Sequence, residues 1–424
     1  YIFCFKDSGI SPSDILIFFL FSDGAKFHIY RRVINLIEIF GFRWVCLGKV
    51  FSDIKAPVWY PKKFYMETRL KNNPKSPLEE WIHIVGKRLI KDVSYWRSFI
   101  REFNVKLMFV KDERLPETIA QNIAFEIAGD KGGFLCGHQR SELSYPAGSL
   151  LGSHPKNILF TWSDRSRDYF NQNLDPLLAN VITGYSFDVI YKSASGDIKN
   201  RVDALRAEGI KIVVTLFDNV HGGMSNPIST PLIKEFYEVF LNWALEDRET
   251  AILIKSKKRL VLDKLDDIRE LIKKAQEAGR CLIVEENKLP TEVSRFSDFA
   301  VGIGISTSVT ESALAGCRGI HCDLTGLKSH HFYKWGSEKI IFSSAVRLVA
   351  ALKRYKDDPK NEPDLGDWSS YMDMIDPFRD GKAGERSGSY MRWLLEGFRK
   401  GIRRREVIDY ANNLYSQKWA KNKE

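Results

Sequence analysis

At 424 residues the chain is longer than one ordinary hydrophobic core, so two domains are expected. An apolar fraction of 44% and a charged fraction of 28% exclude a disordered chain, and no apolar stretch approaches the roughly 20 residues of a membrane span. A net charge of +10 admits nucleic acid, an anionic membrane or phosphorylated substrates as partners. No nucleic-acid reader motif accompanies that charge, so nucleic acid is not expected.

The chain opens on "YIFCFKDSGISPSDILIFFLF", which has no basic leader or small-residue cleavage site, and Asp14 interrupts its apolar run. No initiator Met is present, which leaves room for a longer protein. "DILIFFLF" (14–21) reads as a first strand, "KFHIYRRVINLIEIFGF" as a helix and "RWVCLGKV" as a second strand. Between 79 and 103, apolar residues at 81, 85, 89, 93, 96, 100 and 103 mark one face of a helix. "VKLMFV" is the next strand and "ETIAQNIAFEIAG" the next helix, followed by a strand and helix in "KNILFTWSDRSRDYF" and a strand in "ANVITGYSFD". The pattern weakens over 188–205, where a domain junction is expected, and resumes at "IKIVVTLFDN". A helix at 229–247, "TAILIKSKK", a helix at 263–278, "RCLIVEE" and "FAVGIG" follow, and the last part is mainly helical. Strands alternating with helices imply parallel sheets, so two doubly wound α/β domains of about 200 residues are expected, with ligands beyond the carboxyl ends of strands.

Three stretches carry chemistry at such strand ends. In "FAVGIGISTSVTESALAG", Gly302 and Gly304 keep the backbone open and Ser306, Thr307 and Ser308 lie at a helix start, where N–H groups and the dipole attract phosphate. Glu311 stands one turn further on; an ordinary capping box of Ser308 and Glu311 explains the same spacing equally well. "TLFDNVHGG" places Asp218, Asn219 and His221 beside Gly222 and Gly223, and His221 is suited to phosphate binding or proton transfer, or is a plain loop histidine. "GGFLCGHQRSELSYP" (132–146) combines flexible glycines with His138, Gln139, Arg140 and Glu142, or is a structural loop with salt bridges. Structural zinc spacing, HExxH, P-loop and GxSxG motifs are missing, so metal and NTPase chemistry are not expected. Six cysteines, at 4, 46, 136, 281, 317 and 322, form no CxxC pair and suit a reducing, cytoplasmic compartment.

Over residues 210–400 the sequence resembles the GT-B glycosyltransferases of the capsule or surface polysaccharide type. The resemblance rests on "SDFAVGIGISTSVTESALAG", on "AILIKSKK" one βα unit earlier, and on "DPFRDGKAGERSGSYMRWLLEGF" near the end. It implies two Rossmann-like domains facing across a cleft: residues 1–195 on the acceptor side, 205–385 binding the nucleotide sugar, and C-terminal helices over 386–424 that cross back to the first domain. It further implies that Gly304, Ser306, Thr307 and Ser308 hold donor phosphate, that Glu311 holds ribose, and that Lys255 and Lys257 face the donor phosphates, although a solvated basic turn over 255–259 explains them equally well; Asp218 and Asn219 join the donor side by their place in a strand-end loop. The base that takes the acceptor proton comes, in such enzymes, from the first domain, which makes His138 and Glu142 candidates, with His221 a third and Arg140 suited to an anionic substrate. The His-Pro pair of relatives with CMP- or CDP-linked donors is absent at the expected place.

The implied activity is metal-independent sugar transfer, with no cofactor beyond the nucleotide sugar, to a glycan or lipid-linked acceptor. A CDP-polyol phosphotransferase, a nucleotide-sugar 2-epimerase and a non-catalytic domain of a polysaccharide-assembly protein share the architecture. From Arg386 to the end, ten Lys/Arg face four Asp/Glu. There Arg403, Arg404 and Arg405 with Trp393, Phe398 and Trp419 suggest peripheral contact with anionic lipid, or a solvated helix end.

Overall fold

The computed structural model describes residues 9–20, 27–47, 57–61, 74–110, 116–143, 154–173, 177–192, 194–222 and 227–419. Strands β1 (Leu16–Leu20), β2 (Arg43–Leu47) and β3 (Val58–Trp59) pair in parallel in that order. A second parallel sheet runs β4 (Leu107–Phe109), β5 (Phe134–His138), β6 (Ile158–Thr161) and β7 (Ala179–Ile182). β5 and β6 are buried along their whole length. Parallel strands need cover on both faces, and these sequences are apolar enough to accept it.

On the first sheet that cover is the helix Pro77–Glu102, capped by Ser76, whose hydroxyl accepts from the Glu79 N–H. Its Val93, Trp96 and Phe99 pack with Val45, Leu47 and Trp59. On the second sheet the cover comes from the far end of the chain. Phe134, Cys136, Ile158, Phe160 and Val181 form one core with Tyr390, Trp393, Leu394, Val407 and Trp419 of the helices Ala383–Arg399 and Arg404–Trp419. The Arg404 guanidinium fixes this docking. It donates to the Gly133 carbonyl at 3.0 Å and to both Glu126 oxygens, and lies over the Phe134 ring. Trp393 and Trp419 are therefore core residues, and the lipid contact expected for them does not form, because the sheet beneath needs their apolar surface.

The later strands, β8 (Ile212–Phe217), β9 (Thr250–Lys255), β10 (Cys281–Ile283), β11 (Phe299–Ile303), β12 (Arg318–Cys322) and β13 (Ile341–Phe342), make one parallel sheet in the order β10-β9-β8-β11-β12-β13. The order reverses between β8 and β11, where a doubly wound sheet opens a crevice at its carboxyl edge. Ile198, Val202 and Leu205 from the helix Gly196–Ala207 belong to this core, so the second unit starts ahead of residue 205. No helix among the described residues is long and apolar enough to cross a membrane.

Arg404→Ala is expected to destabilise the protein by about 2 kcal/mol, the scale of hydrogen bonds to a charged group, discounted because Glu126 is partly exposed. Arg404→Lys should recover less than half of this, since an ammonium lacks the forked geometry. Thermal or urea unfolding of the two variants is the check.

Candidate functional site

The site is built at the β11 carboxyl end. After Ile303 the chain turns through Gly304 at a φ of 66°, which favours glycine. It then enters the helix Thr307–Leu314. The helix starts close above its own strand: a Cβ on Gly302 would meet Val309 Cγ2 at 2.7 Å and Ser306 Cβ at 2.8 Å. Ser306, not Ser308, is the N-cap residue, so the Ser308–Glu311 capping box does not form. The Ser306 N–H donates to His321 Nδ1 at 3.2 Å, and His321, fully buried, has its pKa pushed down to about 3 by that burial and by nearby His330. Thr307 and Ser308 are half-exposed at the helix start, where N–H groups have no partner within the helix.

The neighbouring strand ends supply the basic turn. Asp218, past β8, is buried and accepts from the Tyr237 and Ser256 hydroxyls at 2.9 and 2.6 Å and from the Lys257 N–H at 2.6 Å. It thereby shapes the turn after β9, and burial raises its pKa. Lys255 is buried and its ammonium donates to the carbonyls of Ser256 and Glu286, both at 3.1 Å, so it points inward. Lys257 is exposed, and its Nζ donates to Asn219 Oδ1 at 2.8 Å. Desolvation and then the charge of Arg140, from the loop after β5, lower the Lys257 pKa. His221 lies beside Thr230 Oγ1 at 3.1 Å and the Val261 carbonyl at 3.5 Å; Gly223 lies outside the described residues.

From the first domain, the loop after β5 reaches this helix start. The Glu142 N–H donates to Thr307 Oγ1 at 3.1 Å. The Glu142 carboxylate is buried and pairs with Arg165 at 2.6 Å. Arg165 also contacts the His331 ring and lies over Trp335, and His330 Nε2 meets the Leu143 carbonyl at 2.6 Å. Glu142, His330 and His331 offer ligand atoms within 4.8 Å of one another, a carboxylate–imidazole set of the kind that holds metal. The Arg165 guanidinium already supplies the positive charge in that cluster, and burial followed by its charge keeps the His331 pKa far below the usual range. His138 lies deeper, buried, stacked on Phe109 with centroids 5.6 Å apart and edge-on to Phe187.

Glu311 faces the first domain as well. Its Oε1 accepts from the Tyr185 hydroxyl, and burial raises its pKa to about 7. Tyr185 is wedged edge-on to Trp162 and stacked on Tyr191. Its N–H donates to Oδ2 of the fully buried Asp376 at 3.1 Å. Gly184 permits that approach, since a Cβ there would meet Asp376 Oδ1 at 2.8 Å.

The structure thus brings Glu142, Ser306, Thr307 and His321 together at the helix start, Arg140, Asn219 and Lys257 at a neighbouring corner, and Glu311 against Tyr185. It holds His138 and Lys255 away from that surface. Arg165, Tyr185 and His330 carry no local motif, and sequence reasoning missed their part in this site. A separate cavity, lined among others by Arg295, Asp298, Cys317, Arg318 and Tyr355, opens at the amino ends of β11 and β12. Its Arg318 and Asp298 are tied to the Leu365 carbonyl and to Arg206, which reads as support for the strand ends.

No protein-family model matches the chain, and no curated protein matches it in sequence. Solved structures do. Staphylococcus aureus MnaA in complex with UDP superposes with a TM-score of 0.52 at 12% identity, covering 90% of this chain and 96% of that one. A putative UDP-N-acetylglucosamine 2-epimerase from Listeria monocytogenes gives 0.50 at 11% identity, covering 92% and 98%. A variant of the wall teichoic acid polymerase TagF gives 0.50 at 12%, covering 93% and 92%. At these identities the likeness shows the fold, which is GT-B, with two Rossmann-like domains.

Two outcomes are expected at this site. Gly302→Ala should cost about 1–3 kcal/mol through overpacking, read as a lowered unfolding midpoint, because β11 and the helix start have no room for the methyl group. Glu311 binds a proton in the folded state up to about pH 7 but in the unfolded chain only to about 4.5, so its burial lowers stability as pH rises through that window. Glu311→Gln should flatten this fall and be the more stable form at pH 8, as measured by thermal melts from pH 4.5 to 8.

Proposed function

We propose that the chain is an enzyme acting on a nucleotide-activated sugar, and that it transfers the sugar without a metal to a glycan or glycolipid acceptor in surface polysaccharide synthesis. The observation that carries this is the meeting, at one crevice, of the Ser306–Ser308 helix start with the Glu142 loop of the other domain, with Lys257 and Arg140 beside it. That MnaA, of the same fold, has a structure with UDP supports a nucleotide as the ligand.

In this reading Ser306, Thr307 and Ser308 receive the donor phosphates on their N–H groups and hydroxyls. Lys257 and Arg140 neutralise charge on the departing nucleotide, an electrostatic stabilisation that grows in the transition state. Asp218 and Asn219 position the Lys257 turn, and Gly304 gives the backbone its close approach. Glu142, whose backbone N–H touches Thr307 at the helix start, takes the acceptor proton on its carboxylate once Arg165 releases it. His221 is the further candidate for proton transfer, since His138 is packed between Phe109 and Phe187. Glu311 holds the ribose, and the Tyr185 hydroxyl stands where a ribose hydroxyl would donate.

Calorimetry with UDP, CMP, GDP and CDP tests the reading, with one nucleotide expected to bind. Glu311→Ala should weaken that binding at least tenfold, the loss of a hydrogen bond to a charged group. Tyr185→Phe should tighten it by roughly fivefold, since a competing donor worth about 1 kcal/mol is removed. Affinity unchanged in both variants removes Glu311 from the site. A product assay then separates the reactions: turnover of a nucleotide sugar without any acceptor replaces transfer by 2-epimerisation, and release of CMP from a CDP-polyol replaces it by polyol phosphate transfer.

A further inference from the structure

Arg165 holds Glu142 by one bond, and the rest of its guanidinium is poorly matched. It stands in the first turn of the helix Asp164–Asn171, which Ser163 caps by accepting from the Ser166 N–H. A cation there works against the helix dipole, so the helix itself has no use for this residue. Only one terminal nitrogen meets an anion: Nη2 donates to Glu142 Oε1 at 2.6 Å. The other lies against the His331 ring, an imidazole that burial and the guanidinium charge keep neutral. Nε is buried with no hydrogen-bond partner among the described residues. A guanidinium offers five donors in a planar fork, and leaving a buried donor unmatched is costly. That fork fits phosphate oxygens two at a time.

The carboxylate that Arg165 holds stands beside the crevice. Glu142 Oε1 also accepts from the Leu143 N–H at 3.0 Å, so the side chain curls back on its own loop. The N–H of the same residue donates to Thr307 Oγ1 at the start of the helix Thr307–Leu314. The guanidinium and that helix start thus flank a single residue. With two donors already on it, Oε1 has both lone pairs engaged and no room for an acceptor hydroxyl. Resting on the reading that the helix start receives the donor phosphates, we propose that Arg165 is a phosphate-operated latch on Glu142. It occupies the carboxylate until donor binds, and the arriving phosphate draws the fork away and frees Oε1 for the acceptor proton. The lost ion pair is offset by two bonds to phosphate and by use of the unmatched Nε. Arg165 is in this sense a positioning residue that ties readiness of the base to the presence of donor.

Glu142 and the phosphate then compete for one guanidinium, and competition has a signature that a merely structural ion pair lacks. Calorimetry with UDP, CMP, GDP and CDP on the parent chain, Glu142→Gln, Arg165→Ala and the double variant reads it. For the nucleotide that the parent binds, Glu142→Gln should tighten binding at least threefold, and Arg165→Ala should weaken it at least fivefold. In the double variant, Glu142→Gln should add nothing to the effect of Arg165→Ala. Equal tightening in the absence of Arg165 overturns the latch, since Glu142 then only repels the phosphate. So does a Glu142→Gln affinity that is unchanged or weaker, or an Arg165→Ala affinity equal to that of the parent. If Arg165→Ala does not melt cooperatively, Arg165→Lys replaces it in both chains; an ammonium lacks the fork and should weaken binding in the same direction. Failure of all four nucleotides to bind the parent overturns the underlying reading, whereas binding without these shifts overturns the latch alone.

Discussion

A carboxylate taken out of water must find donors for both oxygens, and the arrangement around the crevice depends on how Asp376 meets this demand. One oxygen accepts from the Phe378 and Arg379 N–H groups close by in sequence. The other accepts from the Tyr185 N–H and the Tyr191 hydroxyl, almost two hundred residues earlier. The chain between the second core and the C-terminal helices is thereby pinned to the end of β7. Nearby, Asp188 accepts from the Ala383 N–H, placing a carboxylate at the start of the helix Ala383–Arg399. Burial raises the pKa of both acids, that of Asp188 to about 6. Tyr185 inherits its position from this junction, and Glu311 meets the first domain through Tyr185.

Periodicity made the fold legible because the strands that matter are buried on both faces. β6, β8, β9 and β11 are short, largely apolar runs in the sequence and are fully buried in the structure. β5 lies inside 132–146, a stretch expected to be a loop, and its Gly137 and His138 hide a buried strand among polar and flexible neighbours. The helix Gly196–Ala207 was harder to read. Only Ile198, Val202 and Leu205 are buried among polar neighbours, which resembles a linker until the sheet beneath is known. The stripe on the helix Pro77–Glu102 was plain, but a stripe does not say where its cover stops.

The site was legible only where it is local. A strand ending in glycine and three hydroxyl residues before a helix is a pattern within ten residues, and the structure has that strand, turn and helix. The cap moved from Ser308 to Ser306 because the helix begins two residues earlier than a capping box at Ser308 requires. The partners of Glu142 and Glu311 come from outside any such window: Thr307 is 165 residues from Glu142, and Tyr185 is 126 from Glu311. Lys255 and Lys257 looked alike in sequence, yet two carbonyls hold one inside while the other stays at the crevice.

The return of the C-terminal helices also has a consequence for synthesis. One face of the β4–β7 sheet is completed by Tyr390, Trp393, Leu394, Val407 and Trp419. While the ribosome is still making the second domain, Phe134, Cys136, Ile158 and Phe160 have none of these partners. The β8–β13 sheet takes its own cover from neighbouring helices and can close first, although it is translated later. The β4–β7 sheet can therefore be completed only after the helix Arg404–Trp419 has been made, and until then its open apolar face is a natural client surface for a chaperone.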